Sequence, residues 1–372
     1  RLSTYGDMEI LKYDDTLNYQ EYSYRHTIPK IALVNNELYT AYSFTNFLQE
    51  SVFNQEFKDT LFETKSDIVL KKFEVIQSVE EFLIWTKQDA SMNTTKRDLF
   101  PAVAVDSSDH IVTIYQTDGA IQGYSNNGSY DVALFKTDSS GTILWTRQSP
   151  EWNTSGKATL SKKALAIDSQ NNIVFAYSTK RRAVNGQIQK GSEDIVLVKL
   201  DPQGELVWVH QDILPNTTKR NIQPSITIDA NDHIVVAFLT DGQVDSDKTG
   251  LATEHTPTKV GSEYHTNVVV FRFDTEFEAV QWCRQEPLLN SVNGSSSQVD
   301  VMTMDNSIVI SYVTSGALPD MSQCTHTSTD IVVAKLDDTG GILWRKQDTE
   351  LNTILTNTAP YIAQSQEGDI LI

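Results

Sequence analysis

The chain has 372 residues, with 30 Lys and Arg against 49 Asp and Glu, and a formal net charge of -19. That excess of negative charge repels polyanions, so nucleic acid and anionic membrane surfaces are disfavoured as partners. No apolar run approaches the roughly 18 residues a bilayer-spanning helix needs, so membrane insertion is not expected. Aromatic and β-branched residues are spread evenly along the chain, which suits many short strands.

The first residue is Arg1 rather than Met, and no charged start followed by an apolar stretch marks a signal peptide. This reads as a processed or partial chain. Residues 7–12 and the Tyr-rich run to Tyr24 fit a third and a fourth strand of a repeated unit. The first whole unit follows, with strands predicted near 29–33, 38–42, 67–71 and 84–88. Its long internal loop carries Phe44, Phe47, Phe53, Phe57 and Phe62 at spacings that permit an amphipathic helix. Two readings stay open: a docking element for a partner protein, or a plug folded into the protein's own mouth.

The same order of strands recurs about every 60 to 75 residues, giving units over 29–100, 101–160, 161–223, 224–297 and 298–359. Each fourth strand carries a Trp-x-basic-Gln signature, at Trp85, Trp145, Trp208, Trp282 and Trp344. Those rings are expected to cover the seams between units. Asn and Thr recur five residues after the Gln, at Asn93, Asn153, Asn216 and Asn352, and the Gln is expected to bind that following link. Asp-to-Gly runs at 138–141, 201–204 and 337–340 predict tight hairpins, with Asp capping the turn and Gly supplying a positive φ. Acidic pairs at 106–109 and 229–232 read as turn residues too.

Residues 360–363 and 369–372 match a first and a second strand, so the two ends together make one further unit. The fold expected is an all-β propeller of four-stranded blades, six in number, with one blade shared between 1–28 and 360–372. Part of a seven-bladed ring is the alternative.

Function is expected on the longer second-to-third-strand loops, near 43–66, 116–130, 178–193, 239–266 and 313–329. Lys180, Arg181 and Arg182 form the one basic cluster, suited to an acidic partner or a sugar, or to a solvated turn. Asp241, Asp245 and Asp247 are weak calcium candidates, and no other cofactor is indicated. Sequons at Asn93, Asn127, Asn153, Asn216 and Asn293 tilt the reading toward an extracellular or surface protein of a virion or cell envelope. Cys283 and Cys324 are either two free thiols or a disulfide.

Residues 164–174 (Ala-Leu-Ala-Ile-Asp-Ser-Gln-Asn-Asn-Ile-Val) and the Asp-Ile-Val-Leu-Val-Lys-Leu-Asp-Pro-Gln-Gly of 194–204 resemble the bacterial and viral propeller repeats called SBBP repeats. The resemblance covers nearly the whole chain and implies the fold, with no catalytic residues to carry over. The family has shorter units and a Gly after the second strand, where this chain has Tyr-x-Thr and long loops. The Asp-x-x-Gly-x-x-x-Trp runs ending at Trp145, Trp208 and Trp344 also resemble the tryptophan-docking repeat of quinoprotein dehydrogenases, which hold pyrroloquinoline quinone and calcium. The Asp-to-Gly interval is one residue short of that family's. No nucleophile–base pair or metal motif stands out, so the expectation is a non-enzymatic scaffold binding other proteins or a glycan. A carbohydrate-acting or quinone-dependent propeller enzyme is the alternative.

Overall fold

The computed structural model describes residues 25–26, 30–34, 37–45, 66–75, 81–88, 90–244, 259–260, 263–276, 278–291, 294–321, 329–347, 351–352, 360–364 and 368–372. The protein is all-β, with one short 3-10 turn at Pro287–Leu289 among the described residues. Antiparallel four-stranded sheets follow one another along the chain, as blades of a β-propeller do. The second blade shows the pattern: Asp98–Val105, Ile111–Thr117, Asp131–Thr137 and Ile143–Arg147, paired in that order. The fourth (Asn221–Ile228, Ile234–Thr240, Asn267–Asp274, Ala279–Arg284) and fifth (Ser296–Met304, Ser307–Thr314, Asp330–Leu336, Ile342–Lys346) repeat it.

The first blade runs Lys30–Val34, Glu37–Thr45, Ser66–Val75 and Glu81–Lys87, and Arg25–His26 also pair with its second strand. That sheet therefore starts ahead of residue 29. In the third blade, Ile173–Lys180, Glu193–Leu200 and Leu206–His210 are regular, while the first strand is broken into Lys157–Thr159 and Leu165–Ile167. A last pair, Ala363–Gln364 with Ile370–Leu371, follows the fifth blade. The strands proposed near residues 7–24 lie outside the described residues.

The middle strands are buried on both faces, which is why they read as near-continuous apolar runs. Side chains alternate between two seams. Ile173, Phe175 and Tyr177 pack toward the second blade with Val112 and Ile114, whereas Val174 and Ala176 pack toward the fourth with Val236 and Phe238. The core is thus a series of seams between blades.

Hairpin chemistry is uniform. The Asp138 carboxylate accepts from the Ser140 and Thr142 backbone N–H groups, and Gly141, Gly204 and Gly340 hold φ near +81° to +82°. Each of these glycines lies against the Trp of the preceding blade: a Cβ on Gly204 would stand 3.1 Å from Trp145. The indole N–H groups of Trp85, Trp145 and Trp282 donate to the carbonyls of Ser139, Pro202 and Asp338 in those hairpins. Arg147 and Arg284 reach the same hairpins, at Gln203 and Thr339.

The signature Gln acts differently from expectation. Gln148 accepts from the Ile121 N–H and donates to the Gly119 carbonyl and to Asp131, all within its own blade. Gln211, Gln285 and Gln347 likewise take the N–H groups of Val184, Val244 and Leu318. The Gln pins the start of the long loop and leaves the following link to Asn. Asn93, Asn153, Asn216 and Asn352 each pair with the N–H and the C=O of one third-strand residue: Ile68, Val132, Ile195 and Ile331. Asn290 does the same with Val268 in the fourth blade, where Ser follows it instead of Thr.

Candidate functional site

The first strands of successive blades touch one another and form the inner wall. Three of them carry a bulge near the end that faces the long loops. Residues 100–101, 223–224 and 298–299 stand opposite a single residue each, and the leading residues Phe100, Gln223 and Gln298 adopt φ of 51°, 53° and 55°. A non-glycine residue held there costs of order 1 kcal/mol and marks a strand re-aimed for a purpose.

The third blade departs from this pattern. Residues 160–164 there face only Ala176 and Tyr177, so five residues oppose two where the second, fourth and fifth blades set two against one. The excess is 5 − 2 = 3 rather than 2 − 1 = 1, an insertion of two residues. The five-residue stretch contains Ser161, Lys162 and Lys163, which no other described inner strand matches.

The insertion reaches across the fourth blade. Lys163 Nζ donates to the Val301 carbonyl at 2.6 Å and lies 3.7 Å from the Asp300 carboxylate in the fifth blade. Asp300 accepts from the Ser225 hydroxyl at 3.0 Å, from its neighbour's Val301 N–H at 2.8 Å and from the Ile362 N–H at 3.1 Å. Ser161 donates to the Pro224 carbonyl. Lys162 Nζ sits 4.6 Å from the centre of the Tyr361 ring, which is itself 40% exposed. Burial lowers the Lys162 amine below the ordinary lysine range, with Asp300 opposing the shift. Burial raises the Tyr361 phenol to about 12, helped by the Asp300 charge.

Four chain segments thus converge on one polar cluster, of Lys162, Lys163, Ser225, Asp300 and Tyr361. Lys162 Nζ is buried and has no hydrogen-bond partner among the described residues. Sequence reasoning missed this cluster. Its signal was the Ser-Lys-Lys that precedes Ala164, where the neighbouring units have Pro101 and Pro224 directly after one residue of bulge.

The residues singled out from the sequence lie elsewhere. Phe47, Phe53, Phe57 and Phe62 lie outside the described residues, as do Asp245, Asp247, Asn293 and Cys324, and of Phe44 only the strand backbone is described. Lys180, Arg181 and Arg182 are exposed at the end of a second strand, with Arg181 at φ 64°. Asp241 is bound by Arg220 at 2.6 Å and 3.2 Å, so its carboxylate is already neutralised. Among the described residues no group of three or more His, Cys, Asp or Glu side chains could hold a metal ion.

Asn93, Asn153 and Asn216 are buried with both amide atoms committed to backbone, which conflicts with their reading as glycan acceptors. Asn127 is half-buried on a long loop. Cys283 is a free, buried thiol whose pKa burial pushes up to about 12.

A concavity opens on the opposite, hairpin face between the second and third blades. It holds about 520 Å3 and is lined by Asp106, His110, Lys136, Trp145, Arg147 and Gln203, among others. Its charges are spent on structure: Lys136 pairs with Asp106 at 2.8 Å, and Arg147 with Glu205 at 2.7 Å.

No family model matches the sequence, and no curated protein matches it. Solved structures resemble the fold at low identity. A Penicillium chrysogenum α-L-arabinanase complexed with arabinobiose is 11% identical, with 86% of this chain and 92% of that one covered and a TM-score of 0.45. A thermostable family-43 glycoside hydrolase is 12% identical, covering 87% and 95%, with a TM-score of 0.44. A protein of unknown function from Dyadobacter fermentans is 9% identical, covering 87% and 94%, with a TM-score of 0.45. The expectation of a non-enzymatic scaffold stands corrected to the extent that two of these three are named as an arabinanase and a glycoside hydrolase; a likeness at this identity bears on the fold alone. The chain's chemistry must be argued from its own residues.

Proposed function

We propose that this chain is a carbohydrate-acting propeller enzyme whose sugar lies at the Lys162–Lys163–Ser225–Asp300–Tyr361 cluster, on the face that carries the long loops. The observation that carries the reading is the two-residue insertion in the third inner strand. It brings two lysines from the third blade against a carboxylate of the fifth and an aromatic ring beyond it. Sugars present hydroxyls for charged and polar partners and C–H faces for aromatic rings, and the cluster supplies both.

Within this reading each residue has a task. Asp300, accepting three hydrogen bonds, anchors the cluster and fixes its one negative charge. Tyr361 offers its exposed ring as a stacking floor. Lys162, with its amine lowered by burial, is the group placed to take up or give a proton during bond cleavage. Six blades, the last shared between the chain ends, complete the proposal. In support, Ile362 packs with Met302, Met304 and Val333 of the fifth blade, as an inner strand of a further blade would.

Reducing-end release from a panel of plant and microbial polysaccharides tests the reading. At least one polysaccharide should be cleaved, with Asp300→Asn and Tyr361→Ala each losing tenfold or more while keeping the wild-type circular dichroism. Cleavage untouched by both substitutions, or no cleavage and no binding across the panel, overturns it.

A further inference from the structure

Phe100 is an aromatic residue that neither packing nor backbone preference accounts for. It leads the bulge of the second blade's inner strand at φ 51°, a conformation that disfavours a bulky side chain, and its ring is 47% exposed. The bulges of the fourth and fifth blades put glutamine in that place, and the Gln298 N–H donates to the Gln223 side chain at 3.0 Å. Phe100 has an apolar ring to offer instead, and half of that ring faces water. Burial therefore returns little against the strain of holding it there, which points to a contact made with something else.

Its position ties it to the polar cluster. Phe100, Gln223 and Gln298 each stand two places before the residue where regular pairing resumes, at Ala102, Ser225 and Asp300. Lys162 stands two places before Ala164, whose carbonyl accepts from the Ala176 N–H across the sheet. Lys162 is thus the third blade's counterpart of Phe100, and the inner strands of those two blades touch. A hydrogen bond fixes the join: the Leu160 N–H, at the head of the third blade's insertion, donates to the Gln116 side chain at 3.3 Å. Gln116 pairs with Leu99, the residue before Phe100. The insertion is also held to the fourth blade, where Ser161 donates to the Pro224 carbonyl. Aromatic rings from two blades therefore adjoin the insertion, Tyr361 through its contact with Lys162 and Phe100 from the neighbouring inner strand.

We infer that the sugar site extends from the cluster onto the second blade, with Phe100 as the stacking residue of a further subsite, and that its substrate is a glycan chain rather than a single sugar. One aromatic platform takes the C–H face of one sugar unit, so platforms on two blades call for linked units. The inference rests on the proposed carbohydrate site and names the length class of its substrate.

Surface plasmon resonance of the immobilised full chain against neutral xylose, glucose and mannose oligosaccharides, each of two and of six units, tests it. At least one six-unit sugar should bind tenfold or more tightly than its two-unit counterpart, and Phe100→Gly should cut that advantage to twofold or less. Glycine adopts φ 51° freely, so the variant should melt no lower than the wild type, which separates a lost contact from a damaged fold. Phe100→Tyr keeps the ring and should keep the advantage. Leu144→Ala should keep it too, since it removes an equally exposed side chain from the outer strand of the same blade. Equal binding of two and six units by the wild type overturns the inference and leaves the carbohydrate site standing. An advantage that survives Phe100→Gly does the same, because another residue would then be holding the added units. A variant that melts lower than the wild type also overturns it, since the ring would then be serving the fold. If none of the sugars binds, the carbohydrate reading and the inference fall together.

Discussion

Asp98 in the second blade and Asn221 in the fourth occupy the same place at the start of an inner strand and hold the same turn. Asp98 accepts from the Thr94 N–H at 2.8 Å and the Thr94 hydroxyl at 2.9 Å. Asn221 accepts from the Thr217 N–H at 3.1 Å and hydroxyl at 3.0 Å, and its amide N–H2 also donates to Asp194 at 3.2 Å. The acid has no such donor to offer, and Asp67 stands near it where Asp194 stands near Asn221.

Burial accordingly raises the Asp98 carboxyl from 3.8 to about 6, with the Asp67 charge adding to the shift. A carboxyl whose folded pKa is raised favours the folded state while protonated, and that contribution is lost as pH climbs from 3.8 through 6. Asp98→Asn should therefore match the wild type below pH 3.8 and exceed it above pH 6, by about 1–3 kcal/mol. Urea unfolding at pH 3.5 and 7.5 measures both arms. A variant less stable at pH 7.5 would contradict the assignment.

The seam role of the repeated Trp predicts an uneven mutational series. Trp145→Ala loses the bond to Pro202 and the contact with Gly204, and should cost about 3 kcal/mol. Trp344, exposed to 40%, should cost under about 1 kcal/mol by the same substitution. Chemical denaturation of the two variants side by side decides it, and equal losses would argue against the seam.

Removing the side chain of Asn153 strands the buried N–H and C=O of Val132, so Asn153→Ala should destabilise by about 2–3 kcal/mol. Asn290→Ala should cost a similar amount through Val268. The same geometry predicts that folded protein from a glycosylating host carries no glycan on Asn93, Asn153 or Asn216. Peptide mass spectrometry checks this, and a glycan found on any of them in folded material would refute it.

Cys283 should be inert in the native state, since burial holds its thiol up to about 12 and keeps reagents away. In a Cys324→Ser variant at pH 8, labelling by a thiol reagent should track global unfolding in urea. Prompt labelling of the native variant would show that the thiol is accessible.

Much of the architecture could be read from the sequence because it is written in repeats. The Trp, the Asp-to-Gly hairpins and the alternation of strands such as Ile173–Lys180 recur at fixed offsets, and repetition separates signal from chance. The partner of each motif was harder to read. Gln148 and Asn153 both promised contacts with neighbouring segments, but which polar group meets which depends on the turn the backbone takes between them. The polar cluster was hidden for the opposite reason. Lys162, Asp300 and Tyr361 come from three units, occur once each and lie far apart in the chain, so no spacing rule connects them. They meet because the first strands of the third, fourth and fifth blades lie side by side.

The Gln that pins each long loop has a further consequence for how such a protein can change over time. Ile121, Val184, Val244 and Leu318 each enter the core as the first anchored residue of a loop, fixed by one amide from the blade's last strand. At the far end, Asp131, Asp194 and Asp330 receive the other side of the same amide. Entry and exit are therefore clamped to each other by a single residue. An insertion between them would start and end at fixed points, so each blade works as a socket. New recognition surfaces can be tried at one socket at a time, at the modest entropic cost of a longer loop.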